Sequence, residues 1–204
     1  MGPIWAYRGD IMNKRITTQQ IVGTGLLLAL EIITQIIGNY LQIGPVNFNL
    51  SLVAVVLAAV LYGPLSGAVL GFFNGIIVLF SPSTLGLFMP ISPVGTVLAC
   101  LLKCTLAGLA AGFIFKLFKN KLNIVGLILA SILVPVINTG LFSVFALIFF
   151  RPFLESGVSE TFPNIGAFLI FGVIGINFIV EIVSTTVIST PLGMVLLKRE
   201  KVAE

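Results

Sequence analysis

PVGTVLACLLKCTLAGLAAGFIFKL, residues 93–117, decides how the rest of the chain is read. Almost every residue is apolar, and the run exceeds the roughly 20 residues that a helix needs to cross a bilayer. Lys103 stands inside it, about 15 Å along the axis from Pro93 at 1.5 Å per residue. A cation at that depth costs several kcal/mol, and it is retained where a partner or a wet cavity meets the cost. Ala107/Ala111 and Gly108/Gly112 repeat at a spacing of four, which lets neighbouring helices approach closely. The pattern predicts a helix around which the others pack and which forms the inner wall of a binding site. A Lys–Glu pair that only pins two helices together is the competing reading.

The composition fits a chain built throughout in this way. Hydrophobic residues make up 58% and charged residues 9%, against roughly 25% charged in a soluble domain. The expectation is an all-α, polytopic membrane protein of six spans over residues 16–197. Residues 1–15 would form one tail and 198–204 the other, with no separate soluble domain. The net charge of +4 lies at span ends, where topology accounts for it, and does not point to nucleic acid. With no histidine, Ser-His and Cys-His catalysis and His-ligated metal are excluded. Cys100 and Cys104 read as small buried apolar residues. No nucleotide-binding P-loop is present. No catalytic residue, metal or cofactor is predicted. The first apolar run is a full span and not a cleavable leader. Met12 is an alternative start to Met1.

In chain order, span 1 (16–37) carries Gly25-x-x-x-Ala29 on one face and Glu31 in its far half. A polar loop with Asn47 and Asn49 follows. Span 2 (50–62) is short and turns at Tyr62-Gly63-Pro64 into span 3 (65–80), where Gly67, Gly71 and Gly75 make a continuous face for tight contact. Residues 81–92 form a loop with two prolines and exposed Leu85, Leu87, Phe88 and Met89. It reads either as a loop on the membrane surface or as a lid over a ligand. Span 5 (124–150) contains Pro135 and then Asn138-Thr139-Gly140, which suggests a locally opened helix facing a cavity. Residues 151–163 are the longest connection. Span 6 (165–197) bears Asn177, Glu181, Ser184 and Thr185 on one face.

Nine of the eleven Lys and Arg residues fall in the N-terminal tail, the 116–121 turn and the C-terminal tail. The positive-inside rule puts both termini in the cytoplasm and loops 38–49, 81–92 and 151–163 outside. Glu31, Lys103 and Asn138 then lie in the outer half, with Asn177 and Glu181 near the middle. The polar groups converge beneath the outer loops as an outward-facing ligand cavity. Either glutamate could neutralise Lys103. A lipid-modifying enzyme and a channel subunit are the alternatives. The first lacks a pair of carboxylates within one turn, and the second lacks a continuous polar path.

YGPLSGAVLGFFNGIIVLF, the proline-rich loop before SPVGTVLACLLKCTLAG, and VPVINTGLF together resemble a substrate-binding (S) component of an energy-coupling factor (ECF) vitamin transporter. The resemblance covers roughly residues 16–197 and rests on the order of loose motifs. It implies a six-helix subunit of the bacterial plasma membrane that captures a vitamin from outside. It also implies docking through helix 1 onto a transmembrane coupling (T) component that carries two ABC-type ATPases. Apart from lipid and substrate, no other partner is implied. Gly25 and Ala29 match the family's small docking residues in size but not in identity. The outer loops and the outer ends of spans 4, 5 and 6 would supply the ligand site, drawing in Lys103, Asn138, Asn177, Glu31, Asn47 and Phe88. SPVGTVLACLLK with PVINTGLF looks most like the pantothenate subgroup; folate, riboflavin, pyridoxine and a queuosine precursor are the alternatives.

Overall fold

The computed structural model describes residues 18–40, 42–43, 46–47, 49–118 and 123–203. Helix α1 (Thr18–Tyr40) leads into a two-stranded antiparallel hairpin, β1 (Gln42–Ile43) and β2 (Val46–Asn47), in which Gln42 pairs with Asn47. Helices α2 (Leu52–Tyr62), α3 (Pro64–Leu79), α4 (Pro93–Phe118) and α5 (Asn123–Phe149) follow. A short α6 (Arg151–Ser156) precedes one turn of α7 (Ile165–Ala167), a π-helical stretch (Phe168–Ile174) and the final helix α8 (Gly175–Ala203). Four apolar stretches are long enough to cross a membrane: α1, α4, α5 and the continuous run Ile165–Lys198. The chain is therefore a helical, multi-pass membrane protein. Helices α2 and α3 are apolar but shorter.

Helix α2 lies at the centre of the bundle, while the 93–117 helix that the sequence singles out packs most extensively, against α3 and α5. Every residue from Leu52 to Val60 is buried, and α2 packs against α1, α3, α4, α5 and α8. A helix that is apolar all round has no face to give to water, so the centre of the bundle suits it. At about 1.5 Å per residue its 11 residues reach only about 16 Å. It is too short to fill the depth of the bundle, and polar Asn49 and Ser51 sit buried just before its first turn.

Gly63, at φ +96°, makes the turn into α3, a backbone conformation that glycine adopts without steric cost. The glycines of α3 then lie directly on the backbone of α4. A Cβ at Gly67, Gly71 or Gly75 would meet the carbonyl oxygen of Gly108, Cys104 or Cys100 respectively. Gly112 meets Pro64 in the same way. The four-residue repeat on α3 and the small residues of α4 thus form a backbone-to-backbone seam.

The structure departs from the sequence reading at four points. The polar loop after span 1 contains the hairpin. Within 81–92, residues Thr84–Phe88 form a π-helical turn, and Phe88 is buried against Phe142, Phe150 and Phe153 and not exposed. Helix α5 runs through Pro135 without opening. The 151–163 connection contains α6, whose Arg151 and Glu155 pair at 2.9 Å on an exposed surface, a pair of little energetic weight.

Candidate functional site

The shortness of α2 leaves room near the end of the bundle that carries the hairpin, the 81–92 turn and α6. A cavity lies there, walled by α3, α4, α5, α8 and the π-helical segments. Its polar lining includes Gln35, Asn49, Thr84, Thr96, Lys103, Asn138, Thr139, Asn177 and Glu181; its apolar lining includes Phe88, Phe142, Phe150 and Phe178. The enclosed space is about 70 Å³. It has room for a few waters, each needing about 10–15 Å³, but is smaller than the roughly 300 Å³ of a small-molecule pocket.

Of the residues singled out from the sequence, the cavity brings together Lys103, Asn138, Asn177 and Phe88. Glu31 is elsewhere. It is fully buried on the inner face of α1, behind the cavity wall and beside Asn74. Neither of its carboxylate oxygens has a geometrically formed hydrogen bond among the described residues. Asn47 is placed as backbone in β2; its side chain lies outside the described residues. Gly25 and Ala29 face outward on α1, and a Cβ at Gly25 would touch nothing within 4 Å.

Lys103 is 8% exposed. Its Nζ lies 5.2 Å from the centre of the Phe142 ring, a cation–π contact. The only ion pair among the described residues is Arg151–Glu155, so neither Glu31 nor Glu181 neutralises Lys103 by direct contact. The positive charge thus faces the cavity with an aromatic ring as its neighbour.

Beside the lysine runs a buried hydrogen-bond network that sequence reasoning missed. Asn49 Nδ2 donates to Asn74 Oδ1 at 3.2 Å, and the Asn74 amide donates to Ser51 Oγ. Ser51 Oγ lies 2.9 Å from Gln35 Oε1 and also contacts Asn49 Oδ1; its single hydrogen serves one acceptor at a time. Gln35 Nε2 donates to Asn39 Oδ1 at 3.2 Å. The Cys104 thiol is 3.2 Å from both Asn74 Oδ1 and Asn138 Oδ1. Across the cavity, the backbone N–H of Asn49 donates to Glu181 Oε1 at 3.2 Å. These links tie α1, the start of α2, α3, α4, α5 and α8 together around one polar floor. Phe142, one turn beyond Asn138, was findable from helical spacing alone. Gln35 and Asn49 were not, since the contacts that bring them into the network, Gln35 to Ser51 and Asn49 to Asn74 and Glu181, come from other elements of the chain.

A cavity that gathers Lys103, without an ion pair among the described residues, with several amides and an aromatic wall inside a multi-pass helical bundle is suited to holding a small polar molecule. The family model for the ECF transporter, substrate-specific component, matches residues 19–192, and the chain belongs to that family. It is a membrane substrate-capture subunit of an ECF transporter, which implies a small-molecule substrate and partnership with a T component and ATPases. The family is one of transporters and not of enzymes. No curated protein and no solved structure shows significant similarity to the chain.

Proposed function

We propose that the substrate is pantothenate, held with its carboxylate on Lys103 and its hydroxyls and amide on Asn138, Asn177 and neighbouring polar groups. The observation that carries this reading is Lys103: buried, on the cavity wall, and without an ion pair among the described residues. A buried cation left without a protein anion favours a ligand that supplies one. Pantothenate is a small, flexible carboxylate with two hydroxyls and an amide, and it matches the mixture of charge and amides in the wall. The subunit captures it from outside at the plasma membrane through six spans, α2 and α3 being the two short ones. The T component and two ABC-type ATPases drive import. Calorimetry of the purified protein against a panel of B vitamins tests the substrate. Tight binding of pantothenate is expected, and preference for folate, riboflavin or pyridoxine would replace it.

The same reading sets orientation. A cysteine placed at Ser83, in the 81–92 segment that lines the cavity, is expected to react with an impermeant thiol reagent added outside intact cells. One placed at Asn120, in the basic stretch 116–121, is expected to stay unlabelled. The reverse pattern would turn the cavity toward the cytoplasm and end the capture reading.

A further inference from the structure

Glu181 lies in the same cavity as Lys103, and the reading above gives it no task. It is 7% exposed, and Oε1 accepts the Asn49 backbone N–H at 3.2 Å. Thr139, on the facing wall of α5, lines the same cavity beside it. Lys103 and Glu181 are close enough to influence each other electrostatically, yet they form no ion pair within 4.0 Å. A lysine and a glutamate side chain therefore share one small cavity with a gap between them. An anionic group placed on Lys103 would be repelled by Glu181 unless the far part of the ligand carries something that a carboxylate welcomes. Glu181 already acts as an acceptor toward the Asn49 N–H, and in that role it welcomes a far part that donates.

We infer that Glu181 is a specificity-determining ligand contact, accepting a hydrogen bond from a hydroxyl or N–H at the end of the substrate opposite its carboxylate. The inference rests on the cavity being the substrate site with Lys103 on the acid. It narrows the substrate class to molecules with one carboxylate end and one uncharged, donor-bearing end. A second negative charge at the donor end is excluded by like-charge repulsion in a poorly solvated site.

The test pairs one variant with one ligand change. Pantothenate is compared with N-(3,3-dimethylbutanoyl)-β-alanine, which keeps the amide and carboxylate but lacks both hydroxyls. Glu181→Gln keeps an oxygen for Asn49 and removes the charge. A charged hydrogen bond lost in such a site corresponds to about ten- to a hundred-fold in affinity. Wild type is expected to bind the dideoxy compound at least about ten-fold more weakly than pantothenate. Glu181→Gln is expected to lose affinity for pantothenate by a similar factor and to bind the dideoxy compound about as wild type does. Should Glu181→Gln fold poorly, Glu181→Asp, which withdraws the carboxylate by one methylene, is expected to show the same selective loss. Equal losses for the two compounds, or no loss for either, would overturn the inference while leaving pantothenate as substrate. Failure of wild type to bind pantothenate at all would overturn the vitamin reading and this inference together.

Discussion

Lys103→Met is expected to weaken pantothenate binding about ten- to a hundred-fold while leaving the protein close to its normal thermal stability. The affinity estimate follows from losing one charge-assisted hydrogen bond, about 1.5–3 kcal/mol, in a site with little water. The stability expectation follows from the surroundings. Because Lys103 holds no ion pair with a described carboxylate, its removal strands no directly bonded anion. Methionine is unbranched and similar in reach, and its thioether makes favourable contact with a ring such as Phe142. Panthenol, the alcohol analogue, supplies the control. It has no carboxylate for Lys103, so wild type and variant should bind it almost equally. Thermal melting without ligand, followed by calorimetry with the two compounds, separates the outcomes. Equal losses for acid and alcohol, or collapse of the apo protein, would make Lys103 a structural residue.

Gly25→Leu combined with Ala29→Leu is expected to abolish ATP-dependent uptake and to leave binding by the isolated subunit intact. The two positions lie on the outward face of α1. The helix is anchored to the bundle by a different face, formed by Leu27, Glu31, Gln35 and Gly38. Open space surrounds Gly25, so larger side chains there disturb nothing inside the subunit. A partner helix that needs close backbone approach would be held off by two leucines. Uptake measured in cells carrying the T component and ATPases, beside calorimetry of the purified double variant, gives both readings. Uptake that survives would place the docking face elsewhere.

The seam between α3 and α4 was legible because it is periodic: Gly67, Gly71 and Gly75 announce a backbone contact wherever the partner lies. Lys103, Asn138 and Asn177 were legible for a related reason. Polar groups are rare within apolar spans, and helical rise gives their depth. The central position of α2 left no such mark. A uniformly apolar helix looks the same whether lipid or protein surrounds it, and only its shortness distinguished it. Phe88 was misread as exposed because loop sequences carry no periodicity from which burial follows. Gln35, Asn49 and Ser51 join their network partly through contacts distant in sequence, to Ser51, Asn74 and Glu181. The π-helical stretch Phe168–Ile174, which places Val173 and Ile174 on the cavity wall, likewise has no spacing signature of its own.

The glycine seam divides the molecule mechanically. Where backbones touch at the glycines there are few rotamers to repack, and Asn74 and Cys104 add a side-chain contact across the same pair, so α3 and α4 are expected to move as one plate. Lys103 is mounted on that plate and is therefore a stationary charge. A guest the size of the proposed substrate needs several times the present volume, and the expansion is expected to fall to the opposite wall. There α5 carries Pro135 within its length, the Phe168–Ile174 stretch departs from α-helical geometry, and Phe88 rests on Phe142, Phe150 and Phe153 through rings alone. On the proposed reading, filling the cavity is an asymmetric event in which the wall that carries Lys103 stays fixed while the other yields.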